Sequence, residues 1–433
     1  MRFNTLKDWL TWQETLHPVE IDLGLERVST VLARLKLAQP DFTLVTVAGT
    51  NGKGSSVAML EAILLAAGYR IGSYTSPHLL RYNERIKLAG KPVDDAMLCA
   101  SFERIDQARK DVRLTYFEFG TLAAIDILHC AGVDVAILEV GLGGRLDAVN
   151  VLDADVALLT AIDVDHVDWL GSDRETIARE KAGILRTGRP AVCADLKPPA
   201  SLLATAESLG VSLSLLGKDF FVERLAEKPD GQKADRWSWS NSQHRFEGLP
   251  LPALPGDFQL YNAAGVLAVL SSLKADFPVA AETIAQGLQS VSLPGRFQII
   301  PGVPLQIFDV AHNAQSAQAL ANNLQCQDCR GRTFAVLGML GDKDIDSVVA
   351  QLCSVVDHWY LSPLPVPRSA PVARLQAALL AGAAKTSASN ASIDIFDDVT
   401  TAYQAALAAS TAEDRIVVTG SFYTVAAVLD EAV

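Results

Sequence analysis

Two runs, VDVAILEV at 133–140 and DVALLTAI at 155–162, are apolar at nearly every position. A strand with one wet face alternates; a run this uniform is buried on both faces, the situation of a parallel sheet covered by helices. The surrounding sequence supplies the matching alternation. FTLVTVA (42–48) leads into a helical stretch from about Ser55 to Ala67 that stops at Gly68, followed by IGSYT (71–75) and helical periodicity near 94–110 and 118–131. The reading is an α/β domain on a mostly parallel sheet.

Between about 215 and 255 the pattern changes. RWSWSNSQHRF and the proline-rich LPLPALPGD predict a small antiparallel addition and a loop, not a separate domain, before QLYNAAGVLAVLSSL resumes as helix. The Pro-Gly break in SLPGRFQ (292–298) is a candidate hinge. Beyond it come LQIFDVA, a helix after Asn313, RTFAVLGML, a helix near 345–355, HWYLSP, IDIF and RIVVTGS before a last helix. These predict a second, smaller Rossmann-like α/β unit. The expected domains are 1–293 and 294–433, with no internal repeat and an Ala-rich stretch at 377–393 read as surface helix and loop.

Thirty-seven basic against 50 acidic residues leave a net charge of −13 without a long basic cluster, which argues against a nucleic-acid partner. The opening MRFNTLKDWLTWQETL lacks the layout of a secretory signal, and Glu61 interrupts the most apolar stretch well short of a bilayer span. A cytoplasmic protein without membrane contact is expected. Six scattered cysteines fit reduced thiols; Cys326 and Cys329 form a lone CxxC with no second pair and no nearby histidine, so no metal or redox role is expected of them.

VTVAGTNGKGSS (45–56) carries the first chemistry. A strand, a glycine-rich turn and a helix start aim backbone N–H groups at one point, which suits a polyphosphate, and Lys53 adds a mobile cation. The common phosphate-loop spelling would need glycine at 47 and a hydroxyl at 54, where Val47 and Gly54 stand. The turn is therefore either structural or a variant phosphate loop. Glu139 at the end of one buried strand, and Asp165 and His166 after the next, favour the second reading, because ligands of open α/β sheets collect at strand carboxyl ends. A carboxylate and an imidazole beside ATP phosphates suit Mg²⁺.

The motifs AGTNGKGS (48–55), YTSPHLLRYNERI (74–86), TYFEFGTLAA (115–124), LEVGLGGRLDAVN (138–150), DHVDWLG (165–171), REKAGI (179–184), LPGRFQ (293–298), DVAHN (309–313) and GSFYT (420–424) resemble bacterial dihydrofolate synthase/folylpolyglutamate synthase, within the Mur ligase superfamily. The likeness runs from IDLGLERV (21–28) almost to the C-terminus. It implies a Mur-ligase-like P-loop ATPase domain followed by a Rossmann-like glutamate ligase domain.

By the same resemblance Thr50, Asn51, Gly52, Lys53, Gly54 and Ser55 hold the ATP phosphates, while Ser76, Glu139 and His166 bind Mg²⁺. Ser55 stays open as the rival hydroxyl ligand. Lys181 of REKAGI is expected to be carbamylated and to help place a second Mg²⁺; a bare ammonium about 4 Å from the ion would be repelled by several kcal/mol even at a dielectric near 20. Its plainer alternative is a helix-surface lysine paired with Glu175 or Glu180.

Asn262, Arg296 and Asp309 are implied on ATP, lying between the domains, and His312 and Ser421 on the incoming glutamate; Lys343 in GDKD is a weaker candidate for a phosphate or carboxylate. The pterin substrate would lie against Asp22, Leu23, Gly24 and Leu25, against Thr115, Tyr116, Phe117 and Glu118, and against Leu146, Asp147 and Ala148. Tyr116 and Phe117 offer flat apolar faces, with Glu118 or Asp147 to accept ring N–H groups.

The implied reaction joins L-glutamate to dihydropteroate, and to reduced folates, through an acyl phosphate made from ATP, with domain closure excluding water and the enzyme acting as a monomer. Lys53, Lys181 and His312 are the residues expected at the chemistry. Two other readings stand beside it: a Mur-type ligase acting on a peptidoglycan precursor, and a nucleotide-binding module that is not a ligase.

Overall fold

A computed structural model describes residues 2–225, 236–383 and 392–432. The chain divides into two compact units, Met1–Ala253 with Gln259–Val291, and Leu254–Phe258 with Ser292–Val433.

The first unit is built on an eight-stranded sheet in the order β4-β3-β2-β5-β1-β6-β7-β8. Its strands are β1 (Thr43–Ala48), β2 (Ile71–Tyr74), β3 (Ile86–Leu88), β4 (Lys91–Pro92), β5 (Val135–Glu139), β6 (Val156–Leu159), β7 (Pro190–Cys193) and β8 (Ser212–Leu215). From β2 to β8 every pairing is parallel, and β3 and β4 add an antiparallel edge. All five residues of β5 and all four of β6 are buried, as their unbroken apolar character requires. β6 ends earlier than the apolar run, at Leu159, because the following backbone turns to other acceptors. Ile162 N donates to Asp195 Oδ2 (2.8 Å) and Asp163 N to Thr50 Oγ1 (3.0 Å).

The first long helix starts at Lys53, two residues before the expected Ser55, and runs to Ala66. Gly52 makes the early start possible: its φ of 90° turns the chain into the helix, and a Cβ there would overlap the Asn262 side chain. Helix Tyr116–Cys130 opens on a capping box in which Thr115 Oγ1 accepts from Glu118 N (3.2 Å) and Glu118 Oε2 from Thr115 N (2.7 Å). Two helices precede the sheet, Leu6–Leu16 and Glu26–Leu35. Trp9 of the first is fully buried and packs its ring tilted against those of Phe102 and Phe119, anchoring the N-terminus in the core.

Strands β9 (Phe220–Arg224), β10 (Arg236–Asn241) and β11 (Arg245–Pro250) form a three-stranded antiparallel sheet, the small addition expected from the tryptophan alternation; residues 226–235 lie outside the described residues. Both tryptophans are buried with their indole N–H groups satisfied, Trp237 by Pro250 O (2.8 Å) and Trp239 by Ala264 O (3.1 Å).

The second unit carries a six-stranded sheet, order β12-β13-β17-β14-β15-β16, from β12 (Gln298–Ile300), β13 (Leu305–Phe308), β14 (Thr333–Leu337), β15 (His358–Leu361), β16 (Ser392–Ile395) and β17 (Arg415–Thr419). Only the β12–β13 pair is antiparallel. Its core includes Ile307, Leu337, Met339, Trp359 and Val417. Each such side chain contributes about 1.5–3 kcal/mol on burial. The Ala-rich stretch is helix over Val372–Ala383, and 384–391 lie outside the described residues.

Candidate active site

Four adjacent parallel strands, β2, β5, β1 and β6, point their carboxyl ends the same way. The residues at or just beyond those ends are Ser76, Glu139, the turn Gly49–Lys53, and Asp163–His166. Parallel pairing alone therefore gathers the candidates of the first unit at one edge of the sheet.

Lys53 Nζ donates to the carbonyls of Gly49 and Thr50, both at 3.2 Å. Lys181, only 4% exposed, donates to the same Gly49 carbonyl at 2.9 Å. Burial, and then the nearby Lys53 charge, pulls the Lys181 amine down to about 7. Two amino groups on one carbonyl make a site that favours an anion. The alternative partners for Lys181 are engaged elsewhere: Glu180 Oε1 accepts from Arg145 Nη2 (2.9 Å), and Glu175 accepts from the backbone N–H groups of Ala200 and Ser201.

Thr50 Oγ1 donates to Asp163 O (2.8 Å) and accepts from Asp163 N (3.0 Å), so its side chain fastens the glycine turn to the loop carrying His166. His166 is exposed, has a φ of 52° and stands at the start of helix Val167–Leu170. Ser76 N donates to Glu139 Oε2 at 3.4 Å. Ser55, by contrast, is buried and its hydroxyl accepts from Gln259 Nε2 (3.2 Å), whose Oε1 in turn accepts from Asn262 Nδ2 (2.9 Å). Of the two serines, Ser76 is the one the fold brings to Glu139. Among the described residues no three His, Cys, Asp or Glu side chains cluster as a ready metal cage. Glu139 and Ser76 fit an ion that takes oxygen ligands and completes its shell with phosphate oxygens.

The segment 141–150 connects this edge to the Lys181 helix, Arg174–Ala182. Arg145 N donates to Glu180 O (2.8 Å), and Asn150 Nδ2 bridges Arg145 O and Gly183 O, both at 3.0 Å. A Cβ at Gly144 would sit 2.8 Å from Glu180 O, so only glycine allows this approach. Asp147 is buried within the same segment and accepts from Leu142 N (2.8 Å) and Val149 N (2.9 Å). Burial pushes its carboxyl up to about 6 despite those donors.

Leu146 is half-buried and Ala148 buried beside it, while Asp22, Leu23, Gly24 and Leu25 form a half-buried irregular segment between helices. Tyr116 and Phe117 are half-buried, and a Cβ on Gly141 would press on the Phe117 ring at 2.5 Å. Glu118 sits less openly than its expected role as a ring N–H acceptor requires. It is 2% exposed, and its oxygens accept from Thr115 N and from Arg27 Nε (3.0 and 3.2 Å), with burial pushing its carboxyl up. The T-x-x-E spelling of TYFE is itself the sequence signal for that capping duty.

Two arginines beside these segments escape motif reading. Arg27 lies in IDLGLERV; Arg85 has its guanidinium 5.3 Å over Tyr82 and 5.7 Å over Tyr116. Arg85 Nε donates to His78 Nδ1 (2.9 Å), and burial together with Arg85 pulls His78 down to about 4, leaving a neutral ring that can accept. The available signal is local: each arginine falls in a segment rich in aromatic or acidic groups.

In the second unit Asp309, Arg296, His312 and Ser421 gather beyond the carboxyl ends of the neighbouring strands β13 and β17. Asp309 accepts from Phe297 N and Ala311 N, both at 2.8 Å; burial raises its carboxyl while Arg296 lowers it. The Arg296 guanidinium lies 5.0 Å over the Phe422 ring, whose other neighbour is the His312 imidazole at 6.2 Å. His312 Nδ1 is 2.8 Å from Val310 O, and Asn313 caps helix Ala314–Cys326. Ser421 is buried and its Oγ accepts from Tyr423 N (3.2 Å). Lys343 stands in the turn before helix Ile345–Leu352. Cys326 and Cys329 are free thiols, and Cys329 Sγ is within 3.6 Å of Gly331 O.

Residues 47–270 match the Mur ligase middle domain, and 295–422 the Mur ligase glutamate ligase domain. The Escherichia coli dihydrofolate synthase/folylpolyglutamate synthase is 46% identical over 425 residues, covering 98% of this chain and 95% of the relative. The chain belongs to the dihydrofolate synthase/folylpolyglutamate synthase family. The Haemophilus influenzae member of that family is 40% identical over 97% of this chain and 96% of its own. A structure of E. coli FolC in complex with DHPP and ADP, 44% identical, superposes with a TM-score of 0.91 over 99% of this chain and 97% of that one. A bifunctional folylpolyglutamate synthase/dihydrofolate synthase with Mn, AMPPNP and L-glutamate bound, 45% identical, has a TM-score of 0.89 over 99% and 98% of the two chains. Among the described residues no helix is long and apolar enough to cross a membrane.

Proposed function

We propose that this chain is an ATP-dependent ligase that adds L-glutamate to dihydropteroate and to reduced folates, with residues to 293 forming the ATPase domain and 294–433 the glutamate ligase domain. The observation that carries the reading is the convergence of Lys53 and Lys181 on the Gly49 carbonyl, beside Glu139 and Ser76, in a chain of this family. Related structures hold ADP, AMPPNP, Mn, DHPP and L-glutamate, the ligands such a reaction needs.

A free carboxylate is a poor acyl donor because the attacking amine would have to expel an oxide. In the proposed reaction the substrate carboxylate attacks the ATP γ-phosphorus in line; the bond to ADP breaks and an acyl phosphate forms. Lys53 and the backbone N–H groups of Thr50 to Ser55 hold the phosphates and offset the spreading negative charge, with Asn262, Arg296 and Asp309 holding the rest of the nucleotide. The glutamate amine, beside His312 and Ser421, then attacks the acyl carbon, phosphate leaves, and the amide remains. Mg²⁺ bound by Ser76, Glu139 and His166, with a second ion near Lys181, would supply further charge neutralisation.

Lys181 suits carbamylation. A buried amine brought down to about 7 is substantially neutral at physiological pH, so its lone pair can attack CO₂, lose a proton and become an anionic oxygen donor. The pterin would lie on Tyr116 and Phe117, near Asp22 to Leu25, Asp147, Leu146 and Ala148, with Glu118 acting through the helix start it caps. In this reading the enzyme acts as a monomer in a reducing, cytoplasmic setting that suits its six free thiols. The test is ADP release from purified protein: it is expected to require dihydropteroate and glutamate together. Turnover indifferent to both overturns the assignment.

A further inference from the structure

We propose that Arg27 is a positioning residue for the ring-bearing substrate, a clamp that sets the spacing between the segment Asp22–Leu25 and the start of the helix carrying Tyr116 and Phe117. The proposal rests on the reading of those two segments as the walls that receive the pterin.

Arg27 stands in the first turn of helix Glu26–Leu35. Its Nε donates to both Glu118 oxygens (3.0 and 3.2 Å), its Nη1 to Asp22 Oδ2 (2.7 Å) and its Nη2 to Asp22 O (2.5 Å). One planar fork thus grips a side chain and a main-chain carbonyl of one segment and a carboxylate of the other, the carboxylate lying 91 residues beyond Arg27 in sequence. His17 Nε2 approaches Asp22 Oδ2 at 3.4 Å, extending the chain of polar contacts to the end of the preceding helix. At the other end Glu118 holds Thr115 N, so the guanidinium is tied through a single carboxylate to the helix start that aims Tyr116 and Phe117.

A purely stabilising ion pair is the competing reading, and the geometry separates the two. The Glu118 side chain is 3% exposed and Arg27 25%, so the pair is largely withdrawn from water and its loss would leave a buried carboxylate without its cation. Any cation at position 27 meets that need. Only the guanidinium, with donors fixed in a plane, can reach both segments at once. Residues 21–24 adopt neither helix nor strand, so the clamp is what gives Asp22 both of its short contacts, through side chain and main chain.

Arg27→Lys therefore separates charge from geometry. It keeps a cation opposite Glu118 and gives up the two-sided grip. The expected result is a KM for dihydropteroate raised about tenfold, with kcat and the KM for ATP within about twofold of wild type. Arg27→Ala is expected to weaken dihydropteroate at least as much, read by direct calorimetric titration so that a lowered melting temperature does not obscure it. An Arg27→Lys enzyme with the wild-type KM for dihydropteroate overturns the proposal, as does a loss spread equally over ATP, kcat and dihydropteroate. Failure of the proposed function is seen separately, in wild-type protein that forms no glutamate adduct of dihydropteroate at all.

Discussion

The shared Gly49 carbonyl makes Lys181 a chemically unusual lysine, because its amine is buried next to a second cation. Its proton is lost near neutrality instead of near the ordinary 10.5, so the nucleophilic amine accumulates as pH rises through about 7. Carbon dioxide uptake should follow the same direction. Enzyme stripped of CO₂ and returned to ¹³C-bicarbonate is expected to show a carbamate resonance that grows from about pH 6 to pH 8 and is missing from Lys181→Arg. Glu61 presents the opposite sign. It is buried against Ser73 (2.9 Å), with Lys87 at 4.0 Å, and burial raises its carboxyl above the ordinary value. A raised carboxyl means the folded state holds the proton more tightly, so its contribution to stability falls as pH rises through the folded value. Glu61→Gln is expected to stabilise the protein at neutral pH, with the gain shrinking in acid, as measured by urea midpoints at several pH values.

At the scale of elements, the strand pattern and the motif order were open to reading because they depend on periodicity and on residues whose chemistry is local. The double-sided burial of β5 and β6 follows from composition alone, and parallel pairing then forces Ser76, Glu139, Lys53 and His166 to one edge. What escaped reading depends on contacts remote in sequence. Glu118 reads as an available carboxylate unless its cap, signalled locally by T-x-x-E, is joined to the remote Arg27 contact. That Ser55 accepts a hydrogen bond from Gln259, 204 residues away, is likewise beyond local reading. The helix begins at Lys53 on the positive φ of Gly52, a position that the remote Asn262 side chain closes to any Cβ. The contact between segment 141–150 and the Lys181 helix gives a prediction at this scale. Gly144→Ala places a methyl 2.8 Å from Glu180 O, so it should push the helix and Lys181 away. Activity is expected to fall about tenfold or more for a stability loss of about 1–3 kcal/mol, checked by kcat and thermal unfolding together.

For the whole molecule, each unit has its own sheet and its own apolar interior, the condition under which parts of a chain melt as separate cooperative bodies. Scanning calorimetry of the intact protein is expected to resolve two transitions. A non-hydrolysable ATP analogue with Mg²⁺, at about 100 times its Kd, should add about 2.7 kcal/mol to whatever body holds the phosphates. If the glycine turn of the first unit is that holder, the larger transition shifts, and Lys53→Ala abolishes the shift while leaving the melting of the unliganded protein nearly as before.

Surface turns are ordinarily where a lineage can lengthen or shorten its chain without harm. The segment from Gly141 to Asn150 is a turn ending in a short 3-10 helix, yet most of it is buried, and its Arg145 amide, Gly144 and Asn150 are keyed to the helix beside it. An added residue there has nowhere to bulge. Over evolutionary time this stretch should therefore keep a fixed length while nearby connections drift, and a library of random insertions should leave it blank.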